Sequence, residues 1–238
     1  MREKGIQGKW RPGLIWIILN TLGWGAFILI ALVIGLLAWQ VIQNSTSGHE
    51  FLSDQLVNVL VSSVPGGLCW GAILGGLQKS FLMRHLNFHG KNWTFATIIG
   101  LMLYIAFQVS HQYLLIFVES PITYPFDSVI KTSLMIDFLD VAFYFIPPLV
   151  LGIAQWSVLR LYFKWSGWWI AAVTLGVGCA GWTISEIVRM SFANGYNSFA
   201  AFSIAVYPME GLAYGIATWF VLVFFANHLA ITNSGDSE

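Results

Sequence analysis

The sequence predicts an all-α membrane protein: six transmembrane helices built as three parallel two-helix repeats, with pseudo-threefold symmetry about the membrane normal. Three observations predict it. Apolar residues make up 57% of the 238-residue chain and charged residues only 9%, with a mean hydropathy of +0.72. A soluble domain carries about a quarter charged residues, so lipid must be the solvent for most of this surface. Apolar segments long enough to cross a bilayer recur six times, and they share residue patterns in two sets of three.

A span needs about 20 mostly apolar residues. Six segments qualify: Leu14–Ile42, Gln55–Leu82, Thr94–Val118, Ser133–Phe163, Trp168–Met190 and Ala205–His228. They are continuously apolar, with no alternation at every second residue, which selects helices over a barrel. The first run is about twice as long as a signal-peptide core of roughly 7–15 residues, so it reads as a retained span. The chain then divides into a basic N-terminal segment (1–13), a single six-helix transmembrane domain (14–228) and a polar tail (229–238). The longest connection, about 14 residues, leaves no room for a domain outside the membrane.

Basic residues set the orientation. Arg2, Lys4, Lys9 and Arg11 precede span one, Lys79, Arg84 and Lys91 surround the connection between spans two and three, and Arg160 and Lys164 flank the next connection on that side. The opposite face holds only Lys131 and Arg189, against Glu50, Asp54, Glu119 and Asp127. Cytoplasmic loops retain Lys and Arg, so nine of the 11 basic residues place both termini in the cytoplasm of a cell with this protein in its plasma membrane. A net charge of zero argues against a nucleic-acid partner. The partners are the lipid bilayer and, by self-association or with other subunits, further membrane helices. Cys69 and Cys179 both sit inside apolar runs and read as small packing residues.

The repeat is carried by two patterns. Odd-numbered spans begin with a Trp and a Gly seven residues later: Trp16 and Gly23, Trp93 and Gly100, Trp169 and Gly176. These tryptophans are expected at the cytoplasmic interface, where an amphipathic ring is favoured. In even-numbered spans Gly75-Gly76-Leu77-Gln78 answers Gly152-Ile153-Ala154-Gln155-Trp156 and Gly215-Ile216-Ala217-Thr218-Trp219. One hairpin thus recurs every 63–77 residues in a constant orientation, unlike an inverted repeat. Gly67, Gly71 and Gly75 fall four apart, as do Gly211 and Gly215. With Gly152 they read as close helix contacts, since small residues let backbones approach in lipid. Pro147 and Pro148 predict a kink in span four.

The stretch from Gly152-Ile153-Ala154-Gln155-Trp156 through Leu159-Arg160 to Trp168-Trp169 resembles a repeat of uncharacterised multi-span membrane proteins from cyanobacteria and related bacteria. The resemblance covers spans four and five well and spans two and three loosely. Span two departs from it, with Lys79 in the tryptophan position and Arg84 one residue late. Because that family has no assigned activity, the resemblance implies architecture and no mechanism; for a cyanobacterial chain it adds the thylakoid as a location. Mitochondrial carriers also use three hairpins, but their proline–acid–basic signature is absent here.

Ionisable groups within spans are costly and usually face the bundle interior. Six stand out: His111, Asp137, Asp140, Glu186, Arg189 and Glu210. At 1.5 Å per residue they lie roughly 25–35 Å from the cytoplasmic ends. Gln108, with Tyr104 and Gln112, shares a face with His111; Tyr144 accompanies Asp140; Tyr207 and Tyr214 accompany Glu210. One reading is interfacial, with Asp137, Asp140 and Arg189 reached by water and headgroups. The other is a cup open to the non-cytoplasmic side, lined by four carboxylates against one arginine and suited to a cation, a proton or an amine. No ligand pair has tight metal spacing, so no metal site is read. A lower layer of Gln78, Gln155 and Thr218 occupies one repeat position and is expected to hydrogen-bond across helices.

Nucleophile–base pairs, Gly-rich phosphate loops and zinc-peptidase motifs are missing from the spans, which argues against an enzyme. The first functional reading is a small transporter or channel using the outer acidic cup. The alternative is a non-catalytic binding or assembly factor that holds lipid, pigment or partner helices through its 12 Trp, 18 Phe and 8 Tyr. Polar residues thin out between the cup and the glutamine layer, which leaves the two readings nearly level. The sequence names no cofactor.

Overall fold

The computed structural model describes residues 10–45, 51–86, 88–118, 129–192 and 199–232, with side chains described within 11–27, 29–30, 33, 64–86, 88–108, 110, 141–187 and 206–226. The chain is all-helical over the described residues, with helices α1 (Trp10–Ser45), α2 (Phe51–Leu86), α3 (Trp93–Val118), α4 (Val129–Leu159), α5 (Gly167–Phe192) and α6 (Phe199–Thr232). Each expected span lies on one helix, and most helices run several residues past the apolar limits. The exception is the end of span four, expected at Phe163 but reached at Leu159. There Leu161 N–H and Tyr162 N–H donate to the carbonyls of Val158 and Leu159, three residues back. Such tightened turns close a helix. Asn92 and Ser166, residue types suited to N-caps, stand immediately before α3 and α5.

Three helical stretches among the described residues are long and apolar enough to cross a membrane: Val141–Leu159, Gly167–Ile187 and Val206–Ala226. Their outer faces carry large exposed apolar side chains, among them Leu175, Ile187, Met209 and Phe220. Water would disfavour such a surface, while lipid matches it. Cys69 and Cys179 are free and lie on this outer surface, so neither packs the core.

Each helix packs on its neighbours in sequence, and α1 closes the series on α6, so the six form a ring. Close approach depends on glycine. A Cβ on Gly71 would stand 2.5 Å from the backbone of Ile98, and one on Gly211 would stand 2.6 Å from Trp24 Cβ. On Gly75 it would meet Thr97 and Thr94 of α3, on Gly152 Ile170 and Val173 of α5, and on Gly215 Ile17 and Asn20 of α1. Gly23 and Gly100 receive the leucines Leu74 and Leu151 in the same manner. Pro65, Pro147, Pro148 and Pro208 all lie inside helices.

Aromatic and leucine side chains are buried inside the ring at the end where α2 finishes and α3 begins. Trp16, Trp93 and Trp169 are fully buried there, in contrast to the interfacial belt expected of them. They meet edge to face, Trp93–Trp169 at 5.7 Å and Trp16–Trp169 at 6.4 Å between centroids. A tryptophan near a helix end that can turn its ring inward gains more by filling the ring of helices than by lying at its rim. One turn nearer that end, Leu82, Leu159 and Leu222 are buried. Beyond them Phe88 and Phe163 stack at 6.2 Å and Phe163 and Phe225 at 4.9 Å.

These contacts set an order of stability. Gly71→Leu and Gly215→Leu should each destabilise by about 1–3 kcal/mol through overpacking, read as a lower melting temperature in detergent. Gly76→Ala is the contrast, because a Cβ there meets nothing within 4 Å. It should be neutral or stabilise by up to about 1 kcal/mol.

Candidate functional site

Two polar layers lie inside the ring. The lower one draws side chains from all six helices. Gln155 of α4 is its hub: its Oε1 accepts from Trp169 Nε1 (3.0 Å) and from the Tyr214 hydroxyl (2.9 Å). Its Nε2 donates to Gln78 Oε1 (3.3 Å) and Thr97 Oγ1 (3.2 Å). Gln78 Nε2 donates to Asn20 Oδ1 at 2.7 Å, and Asn20 Nδ2 to the Trp16 carbonyl at 2.8 Å. Trp16 Nε1 donates to Thr218 Oγ1 at 2.9 Å, and Thr218 in turn to the Tyr214 carbonyl. All eight of these side chains are buried, and each polar group so paired escapes the cost of an unmade bond in an apolar interior.

The expected lower layer of Gln78, Gln155 and Thr218 is therefore present, but Thr218 reaches the two glutamines only through Trp16, Asn20 and Tyr214. Sequence reasoning passed over Asn20 and Thr97. A signal was there: each stands four residues after a repeat tryptophan, on the same helix face. The third such position is Val173, which has nothing to donate. The three tryptophans differ too. Trp16 and Trp169 donate from Nε1, whereas the buried Trp93 Nε1 has no hydrogen-bond partner among the described residues. Gln78, at the matching position on α2, is already committed to Asn20 and Gln155.

The upper layer is centred on Glu210, which is 3% exposed. It faces inward. Its Oε2 accepts from the Tyr104 hydroxyl of α3 at 3.1 Å. Its Oε1 lies against Gly181 of α5, where a Cβ would approach it to 2.5 Å and Tyr144 to 3.3 Å. Glycine at 181 leaves the room that the carboxylate occupies. Tyr104, grouped with His111 by sequence spacing, donates to Glu210, and the His111 side chain lies outside the described residues. Trp24 packs edge to face on Tyr104 at 5.5 Å, and its buried Nε1 also has no partner among the described residues.

The other residues singled out from the sequence divide plainly. Tyr144 lies beside Glu210, and Gln108 stands one turn beyond Tyr104, half-buried. Glu186 is half-buried on α5. The side chains of His111, Asp137, Asp140 and Arg189 lie outside the described residues, as do 1–9 of the basic segment and 233–238 of the tail. No group of three His, Cys, Asp or Glu able to hold a metal occurs among the described residues. His85 ends α2 and packs its ring on Phe81, with Nδ1 3.0 Å from the Phe81 carbonyl. Arg160 lies over the Trp156 ring at 5.2 Å.

No family model, curated protein or solved structure matches this chain.

The unequal tryptophans can be measured. Each Trp→Phe change removes similar ring volume, so differences within the set report the indole hydrogen bond. Trp16→Phe and Trp169→Phe should each cost about 1 kcal/mol more than Trp93→Phe, by chemical denaturation in micelles. Equal losses at all three would remove the assigned bonds from the lower layer.

Proposed function

We propose that this chain is a six-span membrane protein of three parallel hairpin repeats, which binds a small cation or protonated amine in a cup floored by Glu210. The cup opens to the non-cytoplasmic side and is closed below by the hydrogen-bonded layer and its leucine and phenylalanine seal. Both termini lie in the cytoplasm, and the chain belongs with the cyanobacterial multi-span proteins that its Gly-Ile-Ala-Gln-Trp motif resembles.

The repeat is supported by matching contacts at matching positions. Gly75, Gly152 and Gly215 each receive the residues one and four places after a repeat tryptophan. Leu82, Leu159 and Leu222 each follow the polar position by four residues and are all buried. Helices of 26–36 residues, about 39–54 Å at 1.5 Å each, exceed the roughly 30 Å of the hydrocarbon core.

One observation carries the functional reading: a buried carboxylate stands on the inner side of the ring directly above a fully packed layer. A carboxylate in that place is expensive, and it is kept where it serves a ligand or proton. The seal below it argues for a binding module in preference to an open channel. A second reading, transport, draws on the long bonds from Gln155 Nε2, 3.3 and 3.2 Å to two acceptors. These shared bonds are the weakest in the layer, and a path would open by parting them.

Calorimetric titration of the purified protein with small monovalent cations and alkylamines tests the cup. Glu210→Gln should weaken binding about tenfold or more, the equivalent of one charge-assisted hydrogen bond, and Asp137→Asn should weaken it less. In proteoliposomes the wild type should conduct no ions beyond empty vesicles. Flux that disappears in Glu210→Gln would move the conclusion to transport, and unchanged binding in that variant would end the cup.

A further inference from the structure

Outside the ring, α3 and α4 enclose a cavity of about 450 Å³ at the end of the bundle that carries most of the basic residues. Its mouth is polar, formed by His89, Lys91 and Asn92. The Tyr162 hydroxyl crosses that mouth to donate to the His89 carbonyl at 3.4 Å. The rest of the lining is largely apolar, with Phe95 63% exposed, Ile99 39% and Leu161 72%. Ala154 and Ser157 provide the depth, since neither side chain fills the space between the helices.

We propose that this groove binds one anionic phospholipid from the leaflet on the basic face. Its headgroup phosphate would rest on Lys91, His89 and Asn92, and one acyl chain would lie along Phe95, Ile99 and Leu161. Charge complementarity selects this occupant. Among the described residues no acid lines the cavity, although the chain as a whole has as many acids as bases. The mouth also meets the start of the 26-residue helix α3, whose N-terminal end is positive. Basic pockets between membrane helices recognise anionic headgroups in this manner. The volume lies within the usual range for small-ligand sites, roughly 300–1,000 Å³.

A comparison within the molecule separates this groove from ordinary lipid contact. Between α5 and α6 a cavity of about 480 Å³ is lined by Leu175, Met209, Ile216 and similar residues, with no cation. That surface suits an acyl chain of any lipid and cannot discriminate a headgroup. The α3–α4 groove joins both chemistries in one place.

Native mass spectrometry of the full-length protein in detergent, titrated with phosphatidylglycerol or phosphatidylcholine, tests the proposal. A single phosphatidylglycerol adduct should survive activation that strips phosphatidylcholine. Lys91→Gln should weaken its retention about fivefold, the contribution of one basic residue near an anionic surface. Ser157→Trp, at an exposed position whose hydroxyl bonds only to Ala154 of its own helix, should fill the groove and weaken retention at least as much. Lys164→Gln, on the same face but outside the cavity, should leave it unchanged. Equal retention of the two lipids, or a Lys164→Gln effect as large as that of Lys91→Gln, would overturn the site. Displacement of the lipid by inorganic phosphate at matched concentration would assign the mouth to a free anion and overturn it equally.

Discussion

The amide of Gln155 holds the interior of this ring together. It accepts from Trp169 and Tyr214 and donates to Gln78 and Thr97, so one side chain on α4 ties to α2, α3, α5 and α6. Gln78 passes the connection to α1 through Asn20. In a bilayer no hydrophobic force drives helices together, because lipid tails are as apolar as the side chains they would replace. Association then rests on close packing and on polar groups with no better partner. The glycine contacts supply the first and this layer supplies the second. Each depends on the other, since Asn20 that meets Gly215 is the same Asn20 that accepts from Gln78.

The layer also divides the interior of the ring. Trp16, Trp93 and Trp169 pack beside it, and buried leucines and phenylalanines lie beyond. On the other side of the layer Glu210 accepts from Tyr104 and sits over Gly181. The two layers are only two helical turns apart on α6, from Glu210 past Tyr214 to Thr218. Tyr214 bonds into the lower layer and packs at 6.1 Å on Trp24, whose ring also touches Tyr104. A chain of aromatic contacts thus joins the two layers.

The lower layer is not uniform. At the positions that follow the repeat tryptophans by four residues stand Asn20, Thr97 and Val173, and at the acceptor positions stand Gln78, Gln155 and Thr218. Three similar sites filled by different side chains cannot make three identical sets of bonds. Gln78 turns to Asn20, which leaves the Trp93 indole N–H without a bond among the described residues, while Trp169 keeps Gln155 and Trp16 takes Thr218.

By itself the sequence determined that the chain is helical and apolar, the central stretch of each helix, which glycines and glutamines recur, and that Glu210 is an isolated acid in an apolar helix. Those features are local: helix length, hydropathy and spacing are properties of neighbours in the chain. What only the tertiary structure decided is which face of each helix turns inward. The repeat tryptophans looked interfacial because an amphipathic ring near a span end has two favourable places, and packing across the ring chose the buried one. Tyr104 shares a helix face with His111 in the sequence, and the fold adds what spacing could not show, a bond from its hydroxyl to a carboxylate 106 residues away. Spacing along one helix reports who stands side by side, whereas partners across a bundle are set by how close the glycines allow the helices to come.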